Sequence, residues 1–280
     1  MNILTFDIEE WFHCDFISDM STWTKYETRI FESVDKILHL LDERKIKATF
    51  FILGWIAEKY PAVVQTIHNH GHEIGCHSLS HNLVHQMDHN TFYHNTEKAI
   101  KLIEDIIGEK IIMYRAPGFS ITHNTPWAFE VLHRLGIQID CSVFPADHDY
   151  GGFPNFGISN PSRIKYNGFE LKEFPMNTRK IFHTNVVFSG GGFFRLIPLP
   201  LINKWTNQSD YVMSYFHPRD FDHGQPILPQ LSLKRKFKSY YGLKRSFNKF
   251  EMWLDNFETI SILQADIQID WENTKIVKLG

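Results

Sequence analysis

The run Ala48-Thr49-Phe50-Phe51-Ile52-Leu53 constrains this chain more than any other stretch. It is β-prone and shows no polar/apolar alternation. A strand of that kind has both faces covered, as in a parallel sheet with helices packed on it. Its neighbours fit that setting. Ile3 to Ile8 is a short apolar run ending in acids, and Ile30, Val34, Ile37, Leu38 and Leu41 recur at helical spacing. A helix is predicted over about 56–69, with Pro61 at a start or break and Gly71 after its end. Another runs from about Thr91 to Ile107, stopped by Gly108. Strands are expected at Ile111 to Tyr114 and Ile137 to Cys141, with a helix capped by Asn124 between them. Repeating βα units of this length give a parallel sheet, open or closed into a barrel.

Beyond residue 142 the pattern is less regular. Residues 145–168 are rich in Pro, Gly and Asn and read as a long loop over the sheet's C-terminal edge. Gly190-Gly191-Gly192 lacks the Lys-Ser/Thr ending of a phosphate loop and reads as a tight turn or bulge. Tyr211 to Phe216 reads as a late strand, followed by helices at about 232–241 and 244–256 and a β-prone tail at 259–269.

A chain of 280 residues buries enough surface to be stable without disulfides or a structural metal. The net charge of −3 argues against a nucleic-acid partner. One stretch departs from that balance: Lys234 to Lys249 carries Lys234, Arg235, Lys236, Lys238, Lys244, Arg245 and Lys249 with no acid. Such a run is either a solvated helix face or a contact for an anionic glycan or membrane surface. Cys14, Cys76 and Cys141 show no CxxC spacing and read as free thiols of a reducing compartment. Because a core-like strand starts at Asn2 and no apolar run nears the roughly 18 residues of a membrane span, a cytoplasmic location is expected. Peripheral contact with the inner membrane is compatible with it.

The chemistry-bearing residues follow the predicted strands, which is the edge where parallel α/β folds build sites. His77-Ser78-Leu79-Ser80-His81 sets two imidazoles four residues apart, on one helix face or around a tight turn, so both can reach one ion. The spacing alone is cheap in a chain with 16 His; its position after a strand gives it weight. In Asp7-Ile8-Glu9-Glu10, strand alternation turns residues 7 and 9 to one side. Glu9, favoured over Glu10, can then join the ion while Asp7 serves as a general base. Arg115, ahead of Ala-Pro-Gly, can hold Asp7 in place, and His217, before Pro218, can act as a general acid. Taken singly, these are also an acidic surface cluster, a structural ion pair and a satisfied histidine.

The ordered set TFDIEEWF, HSLSH, RAPGFS, a strand ending in Asp140, and YFHP resembles the polysaccharide deacetylase family, the NodB-homology fold or carbohydrate esterase family 4. SGGGFFRLIP and KRKFKSYYGLKR look like its exosortase-associated branch. The resemblance implies a distorted (β/α) barrel over residues 1–220 and an α+β extension, 221–280, packed on it. It implies a divalent metal, zinc first, with cobalt or nickel as alternatives, on Glu9, His77 and His81. Asp7 is the implied base, Arg115 its support, His217 the acid and Asp140 the residue that orients His217. Pro117, Gly118 and Phe119 fall at the substrate. Many members carry adjacent aspartates where this chain has Asp-Ile-Glu, which moves the third ligand by one residue. The implied reaction is removal of N-acetyl groups from amino sugars of a polysaccharide or a lipid-linked oligosaccharide, with water as nucleophile. The alternatives are hydrolysis of another linear amide on the same fold, or a silent glycan-binding protein.

Overall fold

The computed structural model describes residues 1–13, 17, 19–181 and 184–279; Cys14 lies outside the described residues. The first half runs β1 (Asn2–Ile8), α1 (Ile30–Glu43), β2 (Thr49–Ile52), α2 (Gly54–Lys59), α3 (Pro61–Asn69), β3 (Glu73–Cys76), α4 (His89–Ile107), β4 (Met113–Tyr114), α5 (Trp127–Arg134) and β5 (Ile139–Asp140). These strands are all parallel to their neighbours, in the order β1-β2-β3-β4-β5. The doubly buried strand is β2. Phe50 stacks on Phe6 at 4.8 Å in the cluster shared with the flanking helices. Phe51 points the other way, into a second cluster with Ile3, Met113, Ile139 and Met213. Pro61 breaks the helix expected over 56–69 into α2 and α3 and occupies the first turn of α3, where its missing N–H costs nothing. Gly108 ends α4 at φ +74°. Asn124 does not cap α5; Thr122 and Thr125 form a turn ahead of it, and Pro126 holds the cap position.

Next come β6 (Ser162–Tyr166), β7 (Phe169–Glu173), β8 (Arg179–Ile181), β9 (Thr184–Val186), α6 (Gly191–Leu196), α7 (Leu199–Asn207) and β10 (Val212–Phe216). The run expected to be a loop to residue 168 therefore contains β6, which pairs antiparallel with β7. Gly190-Gly191-Gly192 starts α6, and Gly190 lies so close to β10 that a Cβ there would sit 2.1 Å from the Tyr215 carbonyl. β10 pairs parallel with β1, so a late strand brings its end beside the first.

The α/β class and the mostly parallel sheet are as expected, but the barrel is not closed by hydrogen bonds. Among the described residues the sheet order is β10-β1-β2-β3-β4-β5-β7-β6, with a further strand outside β6, and no ladder joins β10 to β6 or β7. A seam fills that interval. Asn177 Oδ1 accepts from the Met213 N–H at 2.9 Å and from Ser189 Oγ at 3.1 Å, and Tyr211 donates its hydroxyl to the Pro175 carbonyl at 2.7 Å. These side-chain bonds, with one backbone bond from the Tyr215 N–H to the Ser189 carbonyl at 3.3 Å, stand there in place of a ladder.

The chain ends with α8 (Leu233–Tyr240), α9 (Leu243–Leu254), α10 (Ile262–Gln268) and β11 (Ile276–Lys278). The tail expected as strand at 259–269 is mostly helix. Ser261 and Gln264 form a reciprocal capping box, and Ile262 and Ala265 bury one face. Ile260 bonds to the backbone of Asn2 and Leu4, while β11 extends the sheet along β6.

Candidate active site

Residues 9, 77, 115 and 217 each follow a strand closely, and with Asp7 in β1 they meet at the C-terminal edge of the sheet. A cleft of about 410 Å³ opens there, lined by Asp7, Glu9, His77, His81, Gly118, Phe119 and His217 among others. Arg115 lies beneath it, fully buried.

Glu9, His77 and His81 bring their ligand atoms within 4.8 Å of one another. Glu9 Oε2 lies 2.8 Å from His81 Nε2 and 4.0 Å from His77 Nε2. It is buried, and no donor meets it in good hydrogen-bond geometry. His77 donates from Nδ1 to the Arg115 carbonyl at 2.8 Å, which leaves the Nε2 lone pair facing Glu9. Burial pushes His77 down to about 4, keeping the ring neutral as a ligand must be. For Glu9, burial works to raise the carboxyl, but His81, His217 and His77 outweigh it and hold it well below the carboxylate range. One carboxylate and two imidazoles with an orphaned ligand oxygen fit a divalent ion of the zinc type. The pair sits in a loop, with Ser78 at φ +65° and His81 at φ +57°, so the turn and not the helix sets its geometry.

Glu10 faces elsewhere. Its carboxylate accepts the Arg29 N–H at 2.9 Å and the Ile30 N–H at 3.1 Å at the start of α1. Burial pushes it up to about 7 in spite of those bonds.

Asp7 receives Arg115 Nη1 at 2.8 Å on Oδ1, and the same nitrogen donates to Thr5 Oγ1 at 2.7 Å. Arg115 Nε donates to the Cys141 carbonyl at 3.3 Å, and its plane lies over Phe51 at 4.3 Å. The other oxygen of Asp7 lies 3.8 Å from His217 Nε2. His217 Nε2 is also 3.8 Å from Glu9 Oε1.

Asp140 does not orient His217. It turns onto Ser142, accepting from Oγ at 2.7 Å and from N at 2.9 Å, in a fully buried spot beside Glu173. Burial raises both carboxyls. The residue on His217 Nδ1 is Asp220, at 2.9 Å, which also accepts the His217 N–H at 3.0 Å. Pro218 starts a single 3₁₀ turn that folds Asp220 back over His217. The spacing His-Pro-x-Asp was the available signal, an acid three residues past a proline-started cap. Arg195 of α6 completes the chain, its Nε 3.2 Å from Asp220 Oδ1. Burial works to lower His217, but the Asp220 bond and the charges of Glu9, Asp220 and Asp7 lift it to about 9. Asp220, raised by burial, is held at about 2 by His217 and Arg195.

Of the three residues expected at the substrate, Gly118 and Phe119 line the cleft, while Pro117 is buried in the turn that presents them. Gly118 is at φ +59°, with the space a Cβ would need already occupied by Tyr150 and Leu83 at 3.0 and 3.2 Å. Sequence reasoning also missed His13, a buried ring on the cleft whose Nδ1 accepts the Glu10 N–H at 3.1 Å. The proton is thereby on Nε2, which has no partner.

The family model described as polysaccharide deacetylase matches residues 17–139, and the adjoining one, described as a domain of unknown function (DUF3473), matches 141–265. Residues 17–139 are thus similar to the polysaccharide deacetylase family. A peptidoglycan-N-acetylglucosamine deacetylase of Bacillus cereus is 35% identical over 100 residues, 35% of this chain and 36% of that protein. A peptidoglycan deacetylase-like protein of Gibberella zeae is 32% identical over 118 residues, 41% and 33% of the two chains. The matches thus span about a third of these relatives' lengths. A polysaccharide-deacetylase-like protein of Mycobacterium smegmatis has the same fold at a TM-score of 0.68, with 19% identity, over 99% of this chain and 92% of that one. A family pseudoenzyme from Bacillus anthracis superposes at 0.50, with 11% identity, over 94% and 64%.

Proposed function

We propose that the chain is a metal-dependent deacetylase that hydrolyses the N-acetyl group of an amino sugar in a glycan or in its lipid-linked precursor. The observation that carries this is the convergence of the Glu9–His77–His81 set with two differently supported proton carriers, Asp7 and His217, on one cleft. A divalent ion on that set would polarise the acetyl carbonyl as a Lewis acid. Asp7 is fixed by Arg115 through one oxygen and presents the other to the cleft, where it takes the proton of the attacking water. His217, held on Asp220 through Nδ1, presents Nε2 as the donor to the departing amine as the C–N bond breaks. Being protonated up to about 9, it enters the reaction already charged as an acid. The products are acetate and the free amino sugar.

The pseudoenzyme with this fold keeps a silent glycan binder as the second reading. Against it stands the paired support of Asp7 and His217, which a binding protein has no use for. Deacetylation of N-acetylglucosamine oligomers with Zn²⁺, Co²⁺ or Ni²⁺ restored to chelated protein tests both. Acetate release that requires metal supports the enzyme; glycan binding with no acetate release under any metal overturns it.

A further inference from the structure

Helix α8 buries none of its residues, although it stands on the rim of the cleft. Leu233 is 86% exposed and Phe237 52%, one turn apart, and Tyr241 continues that stripe at 48%. Phe193 and Leu196 of α6 line the same cleft and are also exposed. α6 is tied to the end of α8 by Arg195, which donates to the carbonyls of Lys238, Ser239 and Tyr241. The apolar groups are therefore one rim. The stretch 234–249 that carries α8 has seven cations and no acid in a chain of net charge −3; Lys249 is tied to the carbonyls of Phe194 and Ile197, while Lys234, Lys244 and Arg245 are exposed. Asp147 and Asp149 stand across the cleft, and Asp149 is paired with Lys238 at 2.6 Å.

Aliphatic and aromatic side chains set in a basic surface match the chemistry of an anionic bilayer: the cations meet the headgroups and the apolar groups enter the acyl boundary. An acidic polysaccharide would use the cations but has nothing to cover Leu233 and Leu196. We propose that α8 and the α6 rim dock the protein on an anionic lipid surface, so that the cleft opens onto the membrane and receives an N-acetylated glycan still carried on its lipid. The substrate part rests on the deacetylase reading; the docking part does not.

Co-sedimentation of the full chain with phosphatidylglycerol/phosphatidylcholine vesicles, against phosphatidylcholine alone, tests this. The expected result is at least ten-fold stronger partition onto the anionic vesicles, weakening as salt rises. Leu233→Asp and the double variant Lys234→Glu/Lys244→Glu each lower it at least ten-fold, while acetate release from a soluble oligomer is unchanged. Equal partition on both vesicle types, indifference to both variants, or binding to an acidic polysaccharide with none to vesicles overturns the docking surface. Vesicle binding by a protein that releases no acetate leaves docking standing and removes the deacetylase reading; acetate release by a protein that ignores vesicles does the reverse.

Discussion

The floor of the cleft and its rim are built on opposite principles. On the floor, Asp7, His77, Arg115 and Asp220 are nearly or fully buried and locked by named hydrogen bonds. On the rim, α8 has no fully buried side chain and is held by Arg195 on its last carbonyls, by Tyr240 on the backbone of Pro226 and Leu228, and by Lys238 on Asp149. A floor of this kind holds its proton carriers in fixed orientations, whereas the rim is free to meet a partner of loose shape. Substitutions should therefore separate into those that abolish chemistry and those that leave it intact.

The largest effect is expected at the ligand set. His77→Ala should lose bound metal by elemental analysis and reduce acetate release by roughly 10³-fold or more; full activity without metal would break the contrast at its root. Next comes Asp7→Asn, expected to cost about 10²–10⁴ in kcat with metal content retained. Asp220→Asn is subtler. His217 is raised from 6.5 to about 9, so its imidazolium stabilises the fold fully below 6.5 and that contribution fades as pH rises through 9. The acid should be available over the same range, with activity falling above pH 9. Removing the Asp220 charge should bring that alkaline limb down toward neutrality, by pH–rate profile. Glu10→Ala should remove about 1 kcal/mol of α1 capping, lowering Tm by roughly 2–4 °C in a thermal melt. Lys234→Glu, at the bottom of the scale, should change Tm by less than a degree, since exposed charges contribute little.

Much of the floor was legible because Glu9, His77, Arg115 and His217 each follow an apolar run in the sequence, and parallel strands bring such positions to one edge. Phe50 and Phe51 told the same story for the sheet, one for each covered face. Asp140 misled because its role came from the resemblance alone, and the partner that formed on His217 was a local one across a proline-started turn. Closure of the barrel was left open by the strand pattern, for another reason. Periodicity reports strands, and the interval beside β10 is bridged by the side chain of Asn177, which no pattern marks. In α10 a short apolar run fits strand or helix equally, and the capping box at Ser261 and Gln264 decides it.

That Asn177 bridge also bears on where the molecule yields. β10 carries His217 and is zipped to β1 by five backbone register pairs from Asn2–Val212 to Phe6–Phe216, while its other side rests on a handful of bonds to Asn177 and Ser189, one of them backbone to backbone. Amide exchange should consequently be quickest along the side facing Asn177. The proton donor of the cleft is hinged like a door, fast to the sheet on one jamb and latched on the other.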